Sequence, residues 1–262
     1  MHVEWISEIG STNTELVRRA SVGDVPQLSA LATTNQTAGR GRLGRTWVSP
    51  QGTTLAVSIF VRASDGLGWL PLLAGLAMTR AVRSLLPGQL VTLKWPNDVL
   101  VDGLKVSGLL GELVPSGGAV MGAGLNLTMT KEQLPVPTAT SLTLHGAEPD
   151  ALLDRALAEY LAAFEALWGE FEDSGFDADA GAGAYAGADA GADADAFAAP
   201  GLRASVSDAC DTLGRDVRVG LPDGSTAEGM AEAIDEHGRL VVRHATGHLV
   251  VSAGDVTHVR YG

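Results

Sequence analysis

A single cysteine, Cys210, stands in the 262 residues. No internal disulfide can form, which fits a reducing compartment. Long apolar runs are also missing. The longest, 66–78, is interrupted by Pro71 and falls short of the roughly 20 residues a membrane helix needs. The opening Met-His-Val-Glu-Trp carries neither a basic leader nor an apolar stretch, so a cytoplasmic protein without membrane contact is expected. Cations are scarce: 18 Lys and Arg face 31 Asp and Glu, a net charge of −13. That balance argues against general attraction to nucleic acid, and no DNA partner is expected. The scarcity is uneven. Residues 1–110 carry 10 cations against 7 acids, whereas residues 111–262 carry 8 against 24, so an anionic ligand is sought in the first part. With 45% hydrophobic residues, a chain of this length buries a large core.

The residue pattern mixes strands and helices. Strands are expected at 2–6, 28–33, 53–61, 90–94, 106–114 and 119–127, the third with Leu55, Val57, Ile59 and Val61 alternating on one face. Thr12 followed by Glu15 reads as a capping box, which opens a helix running to about Ala20. Further helices are expected over 67–86 and 150–171. The fold class is therefore α+β, a mixed β-sheet with helices on one face. Residues 176–199 are different, with Ala at every even position from 178 to 198 and Gly, Asp or an occasional aromatic between. They read as a flexible low-complexity linker or insertion. From about Leu202 short β-segments follow at 217–221, 226–234, 240–243 and 249–252, with a turn signal at Pro222-Asp223-Gly224. This spacing suggests a small barrel. Three parts result: a catalytic domain over 1–175, the linker over 176–199 and a C-terminal domain over 200–262.

Two motifs carry chemistry. Gly39-Arg40-Gly41-Arg42-Leu43-Gly44-Arg45-Thr46-Trp47 contains G-x-G-x-x-G. A dinucleotide fingerprint would need a helix to begin there and an acid about twenty residues on. Thr46 to Pro50 is poor helix sequence, and no acid lies between Asp24 and Asp65, so a nicotinamide-dependent dehydrogenase is disfavoured. No Gly-Lys-Ser/Thr completes a Walker A loop either. What remains is a glycine-rich loop bearing Arg40, Arg42 and Arg45, whose guanidinium forks suit carboxylates and phosphates. The second motif is Lys94-Trp95-Pro96-Asn97-Asp98, followed by Lys105-Val106-Ser107-Gly108. Lysines are depleted in strands, so Lys94 and Lys105 in strand-like sequence point to a ligand. His244 and His248 share helical spacing within β-type sequence and read as surface residues. No metal site is expected.

These motifs, together with Ser11-Thr12-Asn13, Gln36-Thr37-Ala38 and Gly122-Ala123-Gly124-Leu125-Asn126, resemble the biotin–protein ligases in order and approximate spacing. The likeness is close over about 5–172 and looser over 202–262. It implies the class II tRNA-synthetase-like fold of biotin and lipoate ligases, with a C-terminal SH3-like barrel. It also implies a two-step reaction. Biotin attacks ATP, carried with Mg2+, to give biotinyl-5′-AMP, and a lysine of biotin carboxyl carrier protein then takes the biotinyl group. By resemblance, Ser11, Thr12, Asn13, Gln36, Arg40, Gly41, Arg42 and Lys105 hold biotin. Arg40, Arg42 and Lys105 act in catalysis, while Arg45, Trp47, Lys94, Asn97, Asp98 and Asn126 serve the nucleotide, Trp47 against the adenine. Arg260 is a further nucleotide candidate. The family's bifunctional members carry an N-terminal DNA-binding domain, and this chain is expected to be of the monofunctional type lacking it. A homodimer is compatible with the likeness. Two rivals share parts of this reading: a lipoate–protein ligase, and a non-catalytic biotin- or nucleotide-sensing module.

Overall fold

The computed structural model describes residues 1–63, 66–173, 200–221, 224–245, 247–252 and 254–259. The proposed linker at 176–199, the turn residues Pro222 and Asp223, and Arg260 lie outside them. Seven strands form the larger sheet: β1 (His2–Trp5), β2 (Ser29–Thr33), β3 (Thr54–Val61), β4 (Val91–Lys94), β5 (Asp98–Val101), β6 (Leu104–Leu113) and β7 (Ala119–Asn126). Their order is β1-β2-β3-β7-β6-β5-β4. Only β1 and β2 run parallel, and the remaining pairs are antiparallel.

Every residue of β3 is buried, because both faces of the sheet are covered. Leu55, Val57, Ile59 and Val61 face α2 (Leu70–Leu85) and α3 (Leu152–Asp173) across the main core. On the opposite face Phe60, Leu31 and Val120 pack against Leu16 and Ala20 of α1 (Thr12–Val22). The expectation of helices on one face is thus corrected: the short α1 covers the second face. Its cap also differs from the capping-box reading. Ser11, not Thr12, is the N-cap, in extended conformation, and its hydroxyl accepts from the Thr14 amide. Thr12 is thereby released to hydrogen-bond elsewhere.

The C-terminal unit begins with α4 (Pro200–Ala209), where only barrel strands were expected. Leu202, Val206 and Ala209 of this helix share the main core with α2 and α3. Five antiparallel strands follow: β8 (Asp216–Gly220), β9 (Thr226–Ile234), β10 (Leu240–His244), β11 (Gly247–Val251) and β12 (Asp255–His258). Their order is β11-β10-β9-β8-β12. The fifth strand had no expected counterpart. Val217, Val219, Ala231, Leu240 and Val242 continue the same hydrophobic cluster. Two buried tryptophans fasten the units, since the Trp69 and Trp95 indoles donate to the carbonyls of Glu236 and Gly238 at 2.7 and 3.1 Å. The docking brings β12 to the edge of the arginine loop. Among the described residues no helix is long and apolar enough to cross a membrane.

Candidate active site

The site lies on the α1 face of β6 and β7. Gly108 of β6 pairs with Gly124 of β7, and Leu110 with Gly122, so three of the four facing positions carry no side chain. Glycine inside a strand weakens it and commonly marks a close approach. Here the approach is visible. A Cβ on Gly122 would lie 2.2 Å from Asn13 Oδ1, and one on Gly124 would lie 2.6 Å from the Trp47 ring.

Above this bare floor the first turn of α1 meets β3 and the stretch after β2. Buried Asn13 donates from Nδ2 to the Leu110 carbonyl at 3.0 Å and accepts from Ser58 Oγ at 2.6 Å. Ser58 Oγ also lies 2.7 Å from Thr12 Oγ1, and the Thr12 amide donates to Gln36 Oε1 at 2.9 Å. Ser11, Thr12, Asn13, Gln36, Arg40, Trp47, Gly108, Leu110, Gly122 and Gly124 line one chamber. With the Trp47 indole in place it offers only about 30 Å³, room for a water or two.

A second chamber of about 130 Å³ adjoins it, sharing Arg40, Trp47, Gly108 and Leu110. Arg40, Gly41, Arg42, Arg45, Trp47, Asn97, Asp98 and Lys105 line it, and Asp255 of β12 closes it. The loop that supplies the arginines is tied at its base: Arg40 bridges Thr46, and the Trp47 amide donates to the Gly39 carbonyl at 2.9 Å. Each cation has an internal partner. Lys105 Nζ is 2.5 Å from Asp98 and 6.0 Å from the Trp47 ring centroid. Arg42 donates to Asn97 Oδ1 at 3.1 Å and to the Gly254 carbonyl at 3.2 Å, and Arg45 pairs with Asp255. Arg40 pairs with Glu112 at 2.7 Å. Burial holds the Arg42 guanidinium below its ordinary value, against the opposing pull of Asp98. Burial likewise lowers Lys94, again opposed by Asp98. Such cations are poorly solvated and gain more than exposed ones from an incoming anion.

Twelve of the residues singled out in the sequence therefore meet in two joined chambers. Lys94 and Asn126 line neither. Lys94 is paired in register with Asp98 at the β4–β5 turn. Asn126 donates to the Thr140 carbonyl at 2.8 Å, and its own carbonyl accepts from the Leu142 amide, so it holds the segment after β7. Sequence reasoning passed over Ser58, Glu112 and Asp255. Ser58 left a signal, a hydroxyl in the middle of the apolar run from Leu55 to Val61; the two acids left none. Among the described residues no group of three or more His, Cys, Asp or Glu is placed to hold a metal ion.

The model of the biotin/lipoate A/B protein ligase family matches residues 5–126, and that of the biotin protein ligase C-terminal domain matches residues 212–259. The biotin–[acetyl-CoA-carboxylase] ligase of Mycobacterium tuberculosis is 35% identical, over 98% of this chain and 89% of that protein. This chain belongs to the biotin–protein ligase family. A second relative, the biotin–[acetyl-CoA-carboxylase] ligase of Paracoccus denitrificans, is 32% identical over 96% of this chain and 98% of its own length. The fold agrees with that of the Aquifex aeolicus biotin protein ligase in complex with biotin and ATP. The two superpose with a TM-score of 0.74 at 24% identity, over 99% of both chains. Within this ligase family framework, the matched region 5–126 contains every residue of both chambers except Asp255.

Proposed function

We propose that this chain attaches biotin to a lysine of a biotin carboxyl carrier protein through biotinyl-5′-AMP, using ATP. The observation that carries the reading is the junction of the two chambers. One is walled mainly by neutral donors and acceptors over a glycine floor, with Arg40 at its rim, and the other by four cations that include Arg40, with Trp47 between them. Both named relatives are named as ligases that join biotin to acetyl-CoA carboxylase.

The chemistry follows from the charges. Two unit anions about 4 Å apart repel by roughly 4 kcal/mol at an effective dielectric near 20. A carboxylate therefore reaches a triphosphate only where cations are already placed. Ser11, Thr12, Asn13 and Gln36 hold the neutral rings of biotin by hydrogen bonds, and its carboxylate extends towards Lys105. Lys105, released from Asp98, neutralises that carboxylate and then the acyl-phosphate oxygens. Arg42 and Arg45 receive the phosphates, which arrive as the MgATP complex. The carboxylate oxygen forms a bond to the α-phosphorus, the bond to the β-phosphate oxygen breaks, and pyrophosphate leaves. Fixed cations stabilise the charge that grows on the pentavalent phosphorus. In the second step the neutral amine of the carrier lysine attacks the acyl carbon. The bond to the AMP oxygen breaks, and the amine gives up a proton. Trp47 leaves the glycine floor when biotin enters and is then free to lie against the adenine. Asn97 and Asp98 order the nucleotide side from the β4–β5 turn. The reaction is assigned to the cytoplasm.

Incubation with biotin, MgATP and a carrier domain, followed by intact mass, tests the reading. The carrier gains one biotinyl group and AMP is released. Modification by lipoate in place of biotin would favour the lipoate ligase. Tight biotin binding with no transfer would favour the sensing module.

A further inference from the structure

Glu112 lies on the chamber-facing side of β6, two residues beyond Leu110, at the end where β5 no longer covers the strand. Its Oε1 accepts from Arg40 Nη1 at 2.7 Å, and the same nitrogen is 3.4 Å from Thr14 Oγ1 in the first turn of α1. The Arg40 side chain thus crosses from the loop, past the N-terminus of α1, to the sheet. It also lines both chambers. The second carboxylate oxygen of Glu112 is buried and accepts no hydrogen bond from the protein. That oxygen is desolvated without a partner of its own, so the hydrogen bond from Arg40 is what fixes the carboxylate in place.

The geometry points to Glu112 as a positioning residue: through Arg40 it straps the glycine-rich loop over the biotin chamber and sets how long biotin and its adenylate are retained. Arg40 stands at the base of the loop, bridged to Thr46 and next to the Gly39–Trp47 hydrogen bond, so anchoring it anchors the ring that carries Trp47. The other two arginines are fastened elsewhere, Arg42 to Asn97 and Gly254, and Arg45 to Asp255. The loop therefore has a nucleotide-side anchor at the β4–β5 turn and β12 and a biotin-side anchor on β6. Loss of Glu112 frees only the biotin side. The inference rests on the biotin-ligase reading for the identity of what is retained, but not for the strap itself.

The test compares wild type, Glu112→Gln, Glu112→Asp and the double variant Arg40→Gln/Glu112→Gln. Hydrogen exchange in the ligand-free protein reads the strap without any substrate. The amides of residues 38–47 exchange about tenfold faster in Glu112→Gln, while those of β6 and β7 are unchanged. Glu112→Asp recovers most of the protection. With biotin and MgATP, Glu112→Gln raises the KM for biotin and the rate of adenylate escape about tenfold each. The KM for ATP and the single-turnover rate at saturation stay within threefold. The double variant is no worse than Arg40→Gln alone. Unchanged exchange and unchanged adenylate escape in Glu112→Gln overturn the strap, as do effects of Arg40→Gln and Glu112→Gln that simply add. Wild-type protein that forms no adenylate from biotin, with the exchange pattern as expected, refutes the ligase reading and leaves the strap standing.

Discussion

Gly122→Ala is the sharpest perturbation of the chamber floor. The new Cβ would sit 2.2 Å from Asn13 Oδ1, 2.7 Å from its Cγ and 3.0 Å from its Nδ2. Asn13 is 4% exposed and is held at both ends, by Ser58 Oγ at 2.6 Å and by the Leu110 carbonyl at 3.0 Å. It cannot step aside without breaking at least one of these bonds. A net hydrogen bond contributes about 0.5–1.5 kcal/mol, and a buried polar group left unpaired costs about 1–3 kcal/mol. The expected loss is therefore about 2–4 kcal/mol, a fall in Tm of roughly 5–15 °C for a domain of this size. Gly169→Ala in α3 is the control. Its Cβ meets nothing within 4 Å, so the variant should gain about 0.5–1 kcal/mol from helix propensity. Thermal melts of both variants, with biotin titration by calorimetry, decide the matter. In the Asn13→Ala/Gly122→Ala double variant the collision disappears, so its loss should be smaller than the two single losses combined. A Gly122→Ala protein that melts with wild type and binds biotin normally refutes the assignment of Asn13 to a tight, oriented position.

Three further outcomes follow from the same geometry. Trp47→Ala empties the space over Gly108 and Gly124, so biotin should associate faster in the absence of nucleotide while the KM for ATP rises; stopped-flow association at the wild-type rate would count against the indole as the occupant. Arg18 and Arg19 hold Glu15 down to about 2 from its usual 4.5, so its stabilising effect is complete above pH 4.5 and is lost as pH falls towards 2. For such a surface pair the effect is about 1 kcal/mol or less; Glu15→Gln should flatten that part of the acid-denaturation curve, and an unaltered curve would contradict the pairing. Protease cutting after Arg42 should slow when biotin and MgATP are both bound, and equal cutting rates would argue against a loop that closes on ligand.

Most of the residues that line the two chambers were legible in the sequence, and the reason is physical. Cations interleaved with glycines, and lysines inside strand sequence, are local violations of what a fold alone would choose, so they stand out in one dimension. The alternation of Leu55, Val57, Ile59 and Val61 revealed β3, but Ala56, Ser58 and Phe60 are buried as well. Their burial comes from α1, a helix whose packing no period in β3 could announce. The partners of the cations were invisible for a similar reason. Glu112 meets Arg40 across 72 positions and Asp255 meets Arg45 across 210, contacts created by the pairing of β6 and the docking of β12. Helix α4 and strand β12 escaped notice because each is short and is stabilised by the main core or by β8 rather than by its own pattern. Asn126 shows the converse. It belongs to a motif that resembles the family's nucleotide site, yet its amide is engaged with Thr140.

The claim beneath the mechanism is that fixed cations make two mutually repelling anions react, with Lys105 at their meeting point. Single-turnover pyrophosphate release from MgATP and saturating biotin, in wild type and in Lys105→Ala, measures this directly. Removing one preorganised donor to developing negative charge should slow release by about 10²–10³, with circular dichroism unchanged. A Lys105→Ala protein that releases pyrophosphate within threefold of the wild-type rate contradicts it.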